Sequence, residues 1–187
     1  TKFVPNKSAV PVSGKVIGFE EVENMINASL DAWLTTGKFN KDFEDEIAKK
    51  IGAKLAITVN SGSSANLVAF STLRSPKLND RQILPGDEVI TAAAGFPTAV
   101  NPIIQNGCIP VFIDIEMQSY NFDIKKIENA ITKKTKAIMI AHSLGNPYNV
   151  KAIKALCKKY NLWLVQDCCD AFGAEYDGKK LGYYGDI

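Results

Sequence analysis

The chain has 187 residues, of which 46% are hydrophobic and 22% charged, and its formal net charge is +2. This composition is typical of one substantial soluble domain, or most of one, and it argues against a strongly basic surface for nucleic acid. No apolar run approaches the roughly 20 residues that cross a membrane, so we expect neither a nucleic-acid nor a membrane partner. The four cysteines lack metal-ligand spacing, which favours reduced thiols in a cytoplasm and no metal site.

The first part of the chain, residues 1–52, is predicted to form an N-terminal arm and two helices. The arm covers residues 1 to about 18. Apolar residues recur at helical spacing from Phe19 to Leu34, and a second helix is predicted over Asn40–Gly52. The segment TTGKF, Thr35 to Phe39, is predicted to be the loop between these two helices.

From Ala53 to Ile187, short apolar runs alternate with helical patterns. The runs are continuously apolar, which is typical of strands whose two faces are both covered. Helical crossovers between such strands predict an α/β fold: a mainly parallel sheet with helices on both faces. The predicted strands are KLAITV, DEVITAA, IPVFIDI, KAIMIAH and LWLVQDC. Because the chain ends at GYYGDI, where another strand would begin, we expect residues 53–187 to be the first part of a larger domain.

The segment NSGSSAN, residues 60–66, places small residues where the first predicted strand gives way to a helix. Gly62 allows a tight turn, and the backbone N–H groups of Ser63, Ser64 and Ala65 would then be free at the helix N-terminus. Such groups, with the positive end of the helix dipole, bind phosphate. An ordinary helix N-cap is the alternative interpretation, and the segment alone does not decide between them.

Two carboxylates follow the last predicted strand, Asp167 at its end and Asp170 three residues later. A carboxylate beside apolar neighbours is costly unless a cation or a hydrogen-bond donor meets it. A protonated ring nitrogen of a bound cofactor is such a partner. A helix N-cap by Asp167 would explain one of the two aspartates but does not require both.

Two further residues follow predicted strands. Phe96 lies after three alanines and a glycine, where it could stack on a planar ring or belong to the core. His142, the single histidine of the chain, follows the strand KAIMIA. Nothing near it in sequence completes a metal site, and we interpret it as structural rather than catalytic.

A phosphate cradle, a stacking aromatic residue and a strand-end aspartate, in this chain order, are the parts that hold pyridoxal phosphate. From about Trp33 to Ile187 the chain resembles the sugar aminotransferase (DegT/DnrJ/EryC1/StrS) family of fold-type I pyridoxal-phosphate enzymes. The matching segments are TTGKFNKDFEDEIAKKIG, TVNSGSSANLVAF, GDEVITAAAGFPTAVNPI, IPVFIDIE and DCCDAFGAEYDGKKLGYYGDI. Within the family, the chain is most similar to the CDP-4-dehydro-6-deoxyglucose 3-dehydratase branch of lipopolysaccharide biosynthesis, in the segments KFVPNKSAVPVSGKVIG, WLTTGKFN, AHSLGN and DCCDA.

The resemblance implies a role for each candidate residue. The cofactor, pyridoxal 5'-phosphate or pyridoxamine 5'-phosphate, would have its phosphate anchored by Gly62, Ser63 and Ser64. Phe96 would stack on its ring. Asp167 would pair with the ring nitrogen, and Asp170 would lie near the phenolic oxygen.

The resemblance also implies dehydration at C3 of a CDP-4-keto-6-deoxy-hexose. The catalytic base, a histidine in the dehydratases, is expected beyond Ile187, as is any [2Fe–2S] cluster, so we expect this chain to be inactive alone. A homodimer would place TTGKF beside the neighbouring cofactor, and a reductase is a further expected partner. Two alternatives stay open: a nucleotide-sugar aminotransferase with a Schiff-base lysine at the position of that base, and a non-catalytic α/β binding module.

Overall fold

The computed structural model of the protein describes residues 3–10 and 14–187. Part of the predicted arm therefore lies outside the described residues, and its described part contains a turn but neither helix nor strand. The chain forms two compact units, Thr1–Asp42 and Phe43–Ile187. Our assignment of residues 1–52 and 53–187 to separate parts of a larger protein stays a prediction.

The first unit contains helix α1 (Phe19–Leu30) and the beginning of helix α2 (Lys38–Ile51). The start of α1 is capped by its own first turn, where the backbone N–H of Gly18 donates to a carboxylate oxygen of Glu21 at 2.6 Å. Acidic side chains at this end also favour the helix dipole. No residue of α1 is buried, so packing within the described chain does not account for its apolar positions.

The second unit is built on parallel strands. The strands are β1 (Glu88–Ala92), β2 (Ile109–Ile113), β3 (Thr135–Ala141), β4 (Trp163–Asp167), β5 (Glu175–Tyr176) and β6 (Lys179–Lys180). The first four form one sheet with the strand order β2-β1-β3-β4. All three strand pairs are parallel, so the carboxyl ends of the four strands lie along one edge. A small antiparallel hairpin of β5 and β6 follows the sheet in sequence.

Helices cover both faces of this sheet. Successive side chains of a strand point to opposite faces. Val89 packs in one hydrophobic cluster with Phe70 of helix α3 (Gly62–Thr72), and Ile90 packs in the other with Ile127 of helix α5 (Ile124–Ala130). This arrangement explains why the strand sequences are apolar without alternation, and the predicted fold class is confirmed. The remaining helices are α4 (Asn101–Gln105) and α6 (Val150–Tyr160). Among the residues that the structure describes, no helix is both long and apolar enough to span a bilayer.

One predicted strand is wrong. KLAITV, residues 54–59, belongs to no strand of the structure. The side chains of Leu55 and Ile57 are 81% and 74% exposed. An apolar, β-branched segment becomes a strand when a neighbouring strand accepts its backbone hydrogen bonds, and no described segment pairs with this one.

Candidate active site

The amino end of α3 lies in the segment NSGSSAN. Ser61 is the N-cap: its hydroxyl accepts a hydrogen bond from the backbone N–H of Ser64 at 3.2 Å, and its carbonyl accepts one from Ala65 at 2.9 Å. The prediction that these two N–H groups are free is therefore wrong. Among the described residues, the N–H groups of Gly62 and Ser63 have no acceptor. The N-cap and two unpaired N–H donors thus coexist at this helix end.

Asp167 is the last residue of β4, and both of its carboxylate oxygens are hydrogen-bonded. One accepts from the side-chain amide of Asn66 at 2.8 Å, and the other accepts from the backbone N–H of Cys169 at 3.0 Å. A carboxylate oxygen has two acceptor positions, so each oxygen keeps one for a further donor. The side chain is held in place and can still accept a hydrogen bond from a protonated group.

The loop after β1 carries Phe96, whose side chain is 71% exposed. The alternative that Phe96 belongs to the core is therefore wrong. A Cβ atom added at Gly95 would meet no heavy atom within 4 Å, so the space beside the backbone is open. Thr98 connects this loop to α3, because its hydroxyl lies 3.5 Å from the side-chain amide of Asn66.

Asp170 is exposed, in the turn that follows β4. The loop after β3 approaches this turn closely: a Cβ atom at Gly145 would lie 3.0 Å from the backbone carbonyl oxygen of Asp170. Gly145 also has φ +77°, a conformation that other residues rarely adopt. A glycine at this position therefore lets the two loops meet at the carboxyl edge of the sheet.

His142 directly follows β3 and is fully buried. Its ring stacks on Tyr148 with centroids 4.0 Å apart, and its Nε2 atom lies 3.2 Å from the side-chain amide of Gln166. Burial lowers the pKa of His142 to about 4, although the negative charge of Asp167 opposes this shift. A neutral, fully buried ring of this kind supports the structural interpretation.

The residues present fit a pyridoxal phosphate group. Two N–H donors are free at a helix N-terminus, and a Cβ at Gly62 would meet no heavy atom within 4 Å, so a phosphate has room there. Asn66 brings this helix to Asp167 and to the loop of Phe96. Asn66 is not among the site residues predicted from the sequence. A polar side chain inside an apolar helical pattern could have indicated it, because buried polar groups need partners.

A model of the DegT/DnrJ/EryC1/StrS aminotransferase family matches residues 16–187 of the chain. The chain is 57% identical over 185 residues to the lipopolysaccharide biosynthesis protein RfbH of Salmonella typhimurium, covering 99% of this chain and 42% of that protein. It is 45% identical over 185 residues to the dTDP-4-dehydro-2,6-dideoxy-D-glucose 3-dehydratase of Saccharopolyspora spinosa, covering 99% and 40%.

Among solved structures, the chain is similar to the E coli GDP-4-keto-6-deoxy-D-mannose-3-dehydratase with bound hydrated PLP. The TM-score is 0.84 at 33% identity, and the match covers 94% of this chain and 44% of that enzyme. The chain therefore spans less than half the length of these relatives.

Proposed function

Because the chain belongs to the DegT/DnrJ/EryC1/StrS aminotransferase family, we propose that the intact protein is a nucleotide-sugar 3-dehydratase that uses pyridoxal or pyridoxamine phosphate. The observation that carries this proposal is the meeting of a helix N-terminus with two free N–H groups and the carboxylate of Asp167. Both lie at the carboxyl edge of a parallel sheet, where open α/β folds bind ligands.

The amino end of α3 binds the cofactor phosphate. The backbone N–H groups of Gly62 and Ser63 donate to its oxygens, and the hydroxyls of Ser63 and Ser64 add further donors. The dipole of α3 favours the negative charge at this end. The absence of a side chain at Gly62 leaves the space that the phosphate occupies.

The loops after β1 and β4 hold the cofactor ring. Asp167 would accept a hydrogen bond from the protonated ring nitrogen at an acceptor position that Asn66 and Cys169 leave open. Phe96 would cover one face of the ring and exclude water from it. Asp170 would lie near the phenolic oxygen. When bound, the protonated cofactor ring supplies an electron sink for bond breaking next to the substrate carbon.

The proposed substrate is a CDP-4-keto-6-deoxy-hexose that loses its C3 hydroxyl. Support for dehydration comes from the relatives, since two of those described above are named 3-dehydratases. Their names carry dTDP and GDP, so the choice of CDP rests on the sequence resemblance. The base and any [2Fe–2S] cluster would lie outside this chain, which we expect to be inactive alone. The name of the family favours a second candidate, a nucleotide-sugar aminotransferase with a Schiff-base lysine.

The proposed protein is cytoplasmic and forms a homodimer, with a reductase as a further partner. The segment TTGKF, predicted as a loop, ends in the first two residues of α2, Lys38 and Phe39. This segment would reach the cofactor of the neighbouring subunit. The exposed apolar residues of α1, among them Val22, Met25 and Ile26, support an assembly that covers this helix. A third alternative, a non-catalytic binding module, needs no cofactor at all.

The test is incubation of the intact protein with pyridoxamine phosphate and a CDP-4-keto-6-deoxy-hexose, with and without a reductase. A dehydratase yields a sugar that has lost its C3 hydroxyl, detected by mass spectrometry. An aminotransferase with an amino donor yields an amino sugar instead, and a binding module yields neither. Asp167→Asn should abolish the product, whereas Asp177→Asn, at an exposed carboxylate paired with Lys151, should leave it unchanged.

A further inference from the structure

A single side chain connects the two halves of the candidate site. Asn66 and Asp167 are 101 residues apart in sequence, and their side chains form a hydrogen bond of 2.8 Å. A carboxylate accepts and does not donate, so the nitrogen of the Asn66 amide must face Asp167. The Asn66 side chain is 8% exposed, which shields this bond from competing water.

The position of Asn66 on α3 makes this bond a geometric constraint. Gly62 and Ser63, which carry the free N–H groups, lie one helical turn before Asn66. Because a helix is stiff over one turn, the bond to Asp167 sets the distance between those N–H groups and the carboxylate. The second carboxylate oxygen is held by the backbone N–H of Cys169 at 3.0 Å, so the plane of the carboxylate is fixed at both oxygens.

We propose that Asn66 is a positioning residue, whose amide holds the Asp167 carboxylate in register with the phosphate-binding end of α3. This inference rests on the proposed function of the site. The amide orients the carboxylate so that one of the two acceptor positions left open on Asp167 faces the cofactor ring nitrogen. Asn66 itself touches neither the substrate nor the reacting atoms.

A buried asparagine can also serve stability alone, and the chain offers such a case for comparison. Asn106 is likewise 8% exposed. Its amide donates to the carbonyl oxygen of Pro102 at 2.8 Å and to the hydroxyl of Ser71 at 3.3 Å. Both partners are neutral and belong to the helical layer, so Asn106 is a matched control for the general cost of losing a buried amide.

The experiment compares Asn66→Ala, Asn66→Gln and Asn106→Ala in the intact protein. Titration with pyridoxamine phosphate gives the affinity, and ¹⁵N NMR with ring-labelled cofactor reports directly whether the ring nitrogen is protonated. Asn66→Ala should weaken binding roughly 10- to 100-fold, the usual range for losing a hydrogen bond to a charged group. The ring nitrogen of the cofactor bound to Asn66→Ala should lose its proton at a lower pH than that of the cofactor bound to the wild-type protein.

Two variants distinguish a positioning role of Asn66 from a role in stability alone. Asn66→Gln keeps an amide donor and should recover part of the affinity and of the ring-nitrogen proton. Asn106→Ala should lower the melting temperature while leaving both cofactor measurements unchanged. Asn66→Ser, whose hydroxyl is too short to reach Asp167, is a second variant, so the test does not depend on the folding of Asn66→Ala.

The positioning role of Asn66 and the proposed function of the site predict different results for the Asn66 and Asp167 variants. Wild-type affinity and a wild-type ring-nitrogen signal in Asn66→Ala or Asn66→Ser would overturn the positioning role. If Asp167→Asn disturbs both measurements in the same experiment, the proposed function survives that failure. If Asp167→Asn also behaves as wild type, the assignment of Asp167 is wrong and the proposed site falls with it.

Discussion

Replacing His142 by phenylalanine should remove a large part of the acid sensitivity of the fold. The His142 ring is fully buried against Tyr148, and burial lowers its pKa from 6.5 to about 4. In the unfolded chain the ring titrates near its ordinary value. Between these two values the unfolded chain binds a proton that the folded chain does not, so stability falls as the pH falls from 6.5 towards 4.

The pKa difference gives the magnitude. A shift from 6.5 to about 4 corresponds to about 3 kcal/mol at full effect, at about 1.4 kcal/mol per pH unit. Between pH 7.5 and pH 5.0, the linkage relation assigns about 2 kcal/mol of lost stability to His142. Well above pH 6.5 the ring is neutral in both states, so His142 has no effect on the pH dependence there.

The assay is urea unfolding of the chain at pH 7.5 and pH 5.0, followed by far-ultraviolet circular dichroism. The carboxylates contribute to the same pH range, so the test is the difference between variants. His142→Phe keeps a ring against Tyr148 and should lose about 2 kcal/mol less than the wild type on acidification. Tyr148→Phe keeps both the stack and the titrating histidine, and should keep the wild-type pH dependence. Equal pH dependence in the wild type and His142→Phe would refute this reasoning.

Three further predictions concern the site and the assembly. Asp167→Asn should reduce cofactor affinity in the intact protein by several kcal/mol and Asp170→Asn by less; equal, small losses would contradict the role of Asp167. Gly62→Ala should leave the melting temperature unchanged, because its Cβ meets no atom within 4 Å. The same Cβ should weaken pyridoxamine phosphate binding about tenfold, which corresponds to the loss of one hydrogen bond. Unchanged affinity would place the phosphate elsewhere. A Cβ at Gly37 would lie 2.7 Å from the ring of Trp33. That ring is 66% exposed and donates a hydrogen bond of 2.9 Å to the carbonyl oxygen of Thr36, so it can shift at the cost of that bond. Gly37→Val should therefore impair turnover without abolishing folding. Sedimentation showing an active monomer would end the dimer proposal.

The sequence predicts the parallel sheet because its signal is local. Continuous apolar runs such as DEVITAA and KAIMIAH coincide with β1 and β3, and both faces of these strands are covered as expected. KLAITV carries the same signal but is unpaired in the described chain. Strand formation depends on a partner for the backbone, and the apolar pattern of one segment does not reveal whether that partner is present.

The sequence predicts several residues of the candidate site but not the hydrogen bonds between them. The strand-end positions of Asp167 and Phe96 follow from the alternation of strands and helices. The bond between Asn66 and Asp167 spans 101 residues, and no pattern within one segment predicts such a pair. The same holds for Ser61, whose capping bonds decide which N–H groups of α3 stay free.

The most direct test of the central claim is a crystal structure of the intact protein with pyridoxamine phosphate bound. We expect the phosphate at the N–H groups of Gly62 and Ser63, the ring against Phe96, and the ring nitrogen within hydrogen-bond distance of Asp167. A cofactor bound elsewhere, or a ring nitrogen that faces a group other than Asp167, would contradict it.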